Sequence, residues 1–195
     1  VVALVEQLGL ARVVLNGWSL GGAVAVAAAA ELGERCTGVV LTCAATPCYL
    51  QKPDYAFGGT EEAMAETQAA MAADRVNFLA ALSGGICAAE VSPQVVDWMT
   101  GMFLQSSPLA ASSLGDLAPL DQRDMLASLR VPVLSYVGAQ DAVVDPAVCR
   151  SVSDYAADVT LVECADSGHA PFIEEKALYD GELLKFLSAN LNGAA

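Results

Sequence analysis

Short apolar runs alternate along this chain with longer segments whose apolar residues recur at helical spacing. Four runs are typical of buried strands, at about residues 12–16, 37–43, 131–137 and 159–163. Helical patterns separate the first two runs and the last two, which is the rhythm of a parallel sheet covered by helices on both faces. The pattern therefore predicts an α/β fold built on a mostly parallel sheet.

The predicted helices frame these strands. Val1–Leu8 carries apolar residues at helical spacing and is followed by Gly9, a typical helix end. Further helices are predicted at about 23–32, 121–129 and 176–191. Because the sequence opens inside a helix and without an initiator methionine, we expect a fragment or a truncated form of a longer protein.

The segment from about Pro47 to Pro119 breaks the strand–helix rhythm. It is rich in alanine, methionine and acidic residues, and helix starts are predicted at Thr60-Glu61-Glu62, Ser92-Pro93 and Ser107-Pro108. We interpret it as an all-helical insertion over the carboxyl edge of the sheet. The chain is thus predicted to divide into a core part (1–46), a helical cap (47–119) and a second core part (120–195).

Charge and cysteine content exclude several classes of protein. The 195 residues include 23 acidic and 9 basic ones, a net charge of −14, which argues against binding to nucleic acid or to anionic membranes. No apolar run reaches the roughly 18 residues of a membrane-spanning helix. The six cysteines lack zinc-ligand spacing, so we expect reduced thiols in a cytoplasmic protein. Cys43 falls in a predicted strand and is expected to be a small core residue.

A Gly-x-Ser-x-Gly motif at residues 17–21 joins the first predicted strand to an alanine-rich helix. On such a sharp turn the side chain of Ser19 projects from the carboxyl edge of the sheet, and the glycines leave room for strand and helix to pass. The motif predicts Ser19 as a nucleophile and the backbone N–H of Leu20 as one oxyanion donor. We expect the second donor to come from a loop after an earlier strand, which this sequence does not contain.

A serine nucleophile needs a general base and a group that orients this base. The only histidine, His169, follows the fourth predicted strand, and Asp141 closes the third. Asp145 is the competing acid, although Asp145-Pro146 is typical of a helix start, and Asp166 lies close to the histidine along its loop. We expect Asp141 to orient His169. With a single histidine, a structural metal is not expected, and a serine nucleophile with its base and acid is not expected to need a cofactor.

Three segments carry a family resemblance, Gly-Trp-Ser-Leu-Gly-Gly at 17–22, Thr46-Pro47-Cys48-Tyr49 and His169-Ala170-Pro171-Phe172-Ile173. They resemble the α/β-hydrolase superfamily, and within it the pimeloyl-[acyl-carrier-protein] methyl ester esterases and related carboxylesterases. The resemblance extends from the first helix to the carboxyl terminus. It implies the α/β-hydrolase fold with a helical cap, the catalytic residues Ser19, Asp141 and His169, and a position for Trp18 beside the acyl pocket.

The expected function is that of a cofactor-free serine hydrolase, which cleaves small carboxylic esters through an acyl-enzyme. The same residues also suit a thioesterase, lactonase, C–C hydrolase or perhydrolase, and a truncated, non-catalytic ligand-binding relative is a further alternative. Residues 47–124 contain three basic and ten acidic residues, which disfavours docking of an acidic acyl-carrier protein. At helical spacing, five apolar residues of the insertion fit packing better than an acyl pocket: Trp98, Met99, Met102, Phe103 and Leu104.

Overall fold

A computed structural model describes residues 1–109 and 113–191 of this chain. Its sheet is parallel, as the apolar pattern predicts. The strands lie in the order β1-β2-β3-β4. The ends of the strands differ from the predicted ones by up to two residues. The strands are β1 (Val13–Trp18), β2 (Cys36–Thr42), β3 (Val133–Gly138) and β4 (Val159–Cys164).

Nine α-helices of the described part surround or overlie this sheet. The helix after β1 begins earlier than predicted, at Leu20, so Ser19 alone forms the turn between strand and helix. The helices are α1 (Val2–Gln7), α2 (Leu20–Leu32), α3 (Glu61–Ala73), α4 (Arg75–Gly85), α5 (Pro93–Leu104), α6 (Arg123–Ser128), α7 (Pro146–Ser151), α8 (Pro171–Glu174) and α9 (Lys176–Leu191).

Apolar cores cover both faces of the sheet. On one face α1, α2 and α6 pack on the strands, and Val26 and Leu126 there are fully buried. On the other face α9 brings Tyr179 against Val40 and Tyr136. The small alanine side chains of α2 allow this helix to lie close to β1 and β2. In the described part, no helix is both long and apolar enough to cross a lipid bilayer.

The helices α3, α4 and α5 come between β2 and β3, where the sequence predicts a helical insertion, and we refer to them as the inserted helices. Thr60 caps α3 by accepting from the N–H of Ala63 at 3.2 Å, and Asp74 caps α4 by accepting from the N–H of Asn77 at 3.1 Å. The start at Ser92-Pro93 opens α5. The start predicted at Ser107-Pro108 leads into residues 110–112, which lie outside the described residues.

Candidate active site

Ser19 occupies a strained backbone position at the carboxyl end of β1. Its φ of 56° and ψ of −126° lie outside the regions that side-chain-bearing residues prefer. The Ser19 N–H donates to the carbonyl of Thr42 at 3.0 Å, and the Ser19 carbonyl accepts from the N–H of Ala45 at 3.0 Å. A Cβ atom on Gly17 would collide with the backbone of Gly21. The turn therefore requires glycine at this position and is held by hydrogen bonds to the segment at the end of β2.

His169 and Asp141 form a buried pair at the ends of β4 and β3. The Nδ1 atom of His169 lies 2.7 Å from Oδ2 of Asp141, with only 3% and 1% of the two side chains exposed. The other carboxylate oxygen, Oδ1, accepts from the N–H groups of Val143 at 2.7 Å and Val144 at 3.0 Å. In the arrangement in which Asp141 accepts from Nδ1–H, the other ring nitrogen, Nε2, is the one able to accept a proton.

Of the two competing acids, Asp145 has its carboxylate engaged elsewhere. Asp145 caps α7 by accepting from the N–H of Ala147 at 2.9 Å, and its second oxygen accepts from the N–H of Gly58 at 3.0 Å. Asp166 uses its backbone N–H to donate to Glu175 at 3.1 Å. Within residues 1–109 and 113–191, neither side chain is bonded to His169, and Asp141 alone occupies the orienting position.

Trp18 lies against His169. It ends β1, directly before the turn at Ser19 between β1 and α2, and we refer to this turn as the elbow. Its indole Nε1–H donates to the backbone carbonyl of His169 at 2.8 Å. The indole also meets Phe172 edge-on, with ring centroids 5.1 Å apart, and stacks on Phe103 of α5 at 6.1 Å. The side chain thus fixes the histidine backbone and joins the inserted helices to the elbow.

Ser19 and His169 line one cavity of about 250 Å³. In the described part of the chain, the Ser19 hydroxyl has no hydrogen-bond partner; such bonds often tighten only when a substrate binds. The walls are apolar and uncharged, and Tyr49, whose hydroxyl donates to the carbonyl of Val143 at 3.3 Å, belongs to them. The inserted helices and the residue after α4 supply Thr67, Met71, Phe78, Leu82, Ile86 and Phe103.

The apolar residues of α5 divide between the cavity and packing. Phe103 lines the cavity, whereas Met99 is fully buried against Ile86 and Ala170, and the Trp98 side chain is 55% exposed. Phe103 therefore does both, because it also packs against the cluster of Ile86, Met99 and Ala170. The cavity residues of α3 and α4 have no distinguishing signal in the sequence, because an apolar residue at helical spacing serves a core and a cavity wall equally well.

Cys43 lies closer to the histidine than the sequence indicates. It is buried as expected, but it follows the end of β2 with a φ of 44°, and its thiol lies 3.7 Å from the carbonyl oxygen of Gly168. Burial raises the pKa of this thiol, and Cys149 and Asp141 raise it further. Side-chain ligand atoms of Cys43, Asp141 and His169 lie within 4.8 Å of one another. A cation there would have to displace the Asp141–His169 hydrogen bond and deprotonate the thiol.

Two glycines let the backbones around the histidine approach closely. A Cβ atom on Gly138, at the end of β3, would collide with the carbonyl of Gly168. A Cβ atom on Gly168 would lie 2.8 Å from both the nitrogen of Ala88 and the carbonyl oxygen of Ile86. The histidine loop (residues 165–170) is therefore in direct backbone contact with two other segments. They are the acid loop after β3 (139–145) and the segment after α4 (86–89).

Comparison with known proteins adds a family to this geometry. A model of the α/β hydrolase fold family matches residues 1–176. The AB hydrolase superfamily protein YisY of Bacillus subtilis is 29% identical over 188 residues, which cover 95% of this chain and 70% of that protein. A pimeloyl-[acyl-carrier protein] methyl ester esterase of Nitrosomonas europaea is 28% identical over 162 residues, 80% of this chain and 64% of that protein.

A solved structure supports the same relationship. The esterase from Exiguobacterium antarcticum superimposes with a TM-score of 0.89 at 25% identity, covering 94% of this chain and 69% of that protein. The matched relatives are thus longer than this chain.

Proposed function

Since the chain belongs to the α/β hydrolase fold family, we propose that it is a serine hydrolase that cleaves small, uncharged carboxylic esters through an acyl-enzyme. The observation that carries this proposal is that His169, which is paired with the buried Asp141 at 2.7 Å, lines the same cavity as Ser19. Esterases among the relatives support an enzyme that hydrolyses esters.

In the proposed reaction, the Ser19 hydroxyl attacks the ester carbonyl and His169 Nε2 takes its proton. The proton then passes to the leaving alkoxide, and an acyl-serine remains. Water then attacks the acyl-serine, with His169 again taking and returning the proton. This step releases the carboxylic acid and restores the Ser19 hydroxyl. Asp141 holds the imidazole in the required tautomer and stabilises the imidazolium that forms in each half-reaction.

The tetrahedral intermediate needs hydrogen-bond donors for its oxyanion. We assign one to the backbone N–H of Leu20, the first residue of the 13-residue helix α2. The first N–H groups of a helix have no acceptor within the helix, and the helix dipole favours negative charge there. Leu20 also lines the cavity beside Ser19.

Size and polarity of the cavity support the substrate class. Drug-sized ligands occupy sites of about 300–1,000 Å³, so a space of about 250 Å³ suits a small ester. Its lining contains no Asp, Glu, Lys or Arg in the described part, which favours an uncharged group next to the scissile bond. We further propose that the inserted helices act as a cap over this site.

A carrier-protein-linked ester is the alternative suggested by the names of several relatives. An acidic carrier would need exposed cations near the cavity. Of the three basic residues between 47 and 124, Arg123 is paired with Asp54 and Asp121, and Arg75 donates to Ser106 at 2.7 Å. Lys52 and Arg75 then stand against the eight acidic residues of this segment that Arg123 does not pair, and this acidic excess favours a free small ester over a carrier-linked one.

An active-site fluorophosphonate tests the nucleophile. We expect one label per chain on Ser19, complete loss of labelling in Ser19→Ala, and full labelling in the control Ser153→Ala, which changes an exposed serine outside the cavity. Absence of a label on the folded wild-type protein, or a label that persists in Ser19→Ala, would contradict the proposal.

A substrate panel tests the reaction. p-Nitrophenyl esters from acetate to octanoate are compared with N-acetylcysteamine thioesters of the same acids and with peracid formation from hydrogen peroxide. Faster turnover of short oxygen esters supports the proposal. Preference for thioesters or for peracid formation would replace it with one of the other reactions that the same residues can perform.

A further inference from the structure

Glu174 connects two parts of the site that lie far apart in sequence. It ends α8, five residues after the histidine. Its Oε1 atom accepts from the N–H of Ala88 at 2.6 Å and from the N–H of Ala89 at 3.0 Å. Its Oε2 atom accepts from the N–H of Gly168 at 2.9 Å. One carboxylate thus binds the segment after α4 with one oxygen and the histidine loop with the other.

A direct backbone hydrogen bond also joins the same two segments. The backbone N–H of His169 donates to the carbonyl of Ile86 at 2.7 Å, and Ile86 lines the cavity. Ile86, Met99 and Ala170 form a buried apolar cluster there. A cavity-lining residue is therefore one hydrogen bond away from the backbone of the histidine.

The neighbouring acid provides a contrast. Glu175 Oε2 accepts from the N–H of Asp166 at 3.1 Å and from the hydroxyl of Ser167 at 2.7 Å. Both of these partners belong to the histidine loop. Glu175 therefore holds this loop alone, whereas Glu174 holds it to the segment after α4.

From this arrangement we propose that Glu174 is a positioning residue, which keeps the segment Ile86–Ala89, whose Ile86 lines the cavity, in one fixed register with the histidine loop. The proposal rests on the proposed function, since the histidine is there the general base. Its expected consequence is a preference among esters of different acyl chain length. An acyl chain long enough to press on Ile86 needs the wall and the base aligned together, whereas an acetyl group needs the base alone.

The charge of Glu174 also reaches the segment after α4. Burial raises the pKa of the Cys87 thiol to about 11, and the carboxylate of Glu174 contributes in the same direction. Charge-assisted hydrogen bonds of this kind are stronger than neutral ones. A glutamine at position 174 keeps the shape of the side chain, loses this charge and presents an N–H group to one of the two sets of backbone donors.

Steady-state kinetics separates this role from a general loss of stability. With p-nitrophenyl hexanoate, Glu174→Gln should lower kcat about tenfold with little change in KM, and with p-nitrophenyl acetate only about twofold. The matched variant Glu175→Gln should lower kcat for both esters by a common factor. Equal losses on both esters in Glu174→Gln, or the same selectivity change in Glu175→Gln, would overturn the proposal.

Amide hydrogen exchange tests the connection without any need for turnover. In the wild-type protein the amides of Ala88, Ala89 and Gly168 should exchange with one common protection factor, because one carboxylate accepts from all three. Glu174→Gln should speed the exchange of all three amides. Glu175→Gln should leave the exchange rates of the Ala88 and Ala89 amides unchanged. Protection factors that differ by more than about tenfold in the wild type would overturn the proposal, even if the variants fail to fold.

The two failures can be told apart. A folded wild-type protein that neither takes the fluorophosphonate on Ser19 nor hydrolyses either ester would refute the proposed function. The exchange measurement would still decide whether Glu174 holds the two segments together.

Discussion

The ends of the strands and the inserted helices build one cavity by different means. At the strand ends, directed hydrogen bonds hold each functional group, and Asp141 alone accepts three. The inserted helices face the cavity mainly with apolar side chains, among them Met71 of α3, Leu82 of α4 and Phe103 of α5. The comparison supports the division made in the proposed function, in which the strand ends supply the chemistry and the inserted helices supply the shape.

The largest effect should follow from a change at the strand ends. We expect Asp141→Asn to lower kcat about 10⁴-fold. The two N–H groups of Val143 and Val144 would keep the amide oxygen on their side. The amide NH₂ would then face His169 Nδ1 and favour the tautomer with a proton on Nε2, which cannot accept the serine proton. Turnover of p-nitrophenyl butyrate measures this loss.

Asp145→Asn is the matched control for this prediction. Asp145 caps α7, and asparagine is an equally good N-cap residue. Activity should therefore stay close to the wild-type value, whereas the melting temperature should fall slightly, because the amide NH₂ cannot accept from the N–H of Gly58. A comparable loss of activity in both variants would show that the effect of Asp141→Asn does not depend on its contact with the histidine.

A smaller effect, on selectivity, should follow from a change in the inserted helices. Phe103→Ala removes a cavity wall that stacks on Trp18. We expect the ratio of kcat/KM for octanoate to that for acetate to rise about tenfold, since each methylene that finds space contributes to binding. Hydrolysis of p-nitrophenyl acetate should change by less than about threefold.

The control lies on the same helix. Trp98 is 55% exposed and does not line the cavity, so Trp98→Ala should leave the preference for chain length unchanged. If Phe103→Ala instead reduced turnover of all esters alike, the inserted helices would contribute to the chemistry as well, and the division between the two regions would not hold.

The smallest effect concerns a surface ion cluster outside both regions, which joins the segment before the inserted helices to the start of α6. Arg123 of α6 binds Asp54 and Asp121, and its hydrogen bond lowers the pKa of Asp121 to about 2 from an ordinary value of 3.8. A lowered pKa means that the contribution to stability is present above pH 4 and is lost as the pH falls towards 2. The carboxylates are solvent-exposed, so salt screens the effect.

We therefore expect Arg123→Met to lower the melting temperature slightly at pH 6. Near pH 2 the variant and the wild type should have the same melting temperature. Arg130→Met is the control, because Arg130 donates to the carbonyls of Ala127 and Leu129 and not to a carboxylate. A difference between Arg123→Met and wild type that stays constant from pH 6 to pH 2 would exclude the ion pairs as its cause.

The sequence predicts most of the sheet and the candidates for chemistry, because these signals are local. A strand, a tight turn and a helix within 20 residues define the elbow at Ser19, and acid and histidine each follow a strand of the same sheet. The ends of the strands were harder to predict, since β1 continues through Gly17 to Trp18, where a glycine in the sequence suggests a turn.

The parts that sequence reasoning missed depend on contacts between distant segments. Glu174 resembles an ordinary surface glutamate, and its partners Ala88 and Ala89 lie 86 and 85 residues away. In the sequence, Cys43 lies in an apolar run typical of a strand. Its position beside the histidine loop follows only from the fold, in which β2 and β4 belong to one sheet. The apolar walls on α3 and α4 are indistinguishable from packing until the cavity itself is known.

The close contact between Gly138 and Gly168 has a consequence for changing the specificity of this protein. Any side chain at position 138 would push the acid loop away from the histidine loop, so random mutation there should yield inactive molecules whatever ester is screened. Residues such as Leu82 and Phe103 contact the cavity only through apolar surface. Directed evolution towards new esters should therefore accumulate its successful changes on the inserted helices, and a focused library gains most by leaving both glycines unvaried.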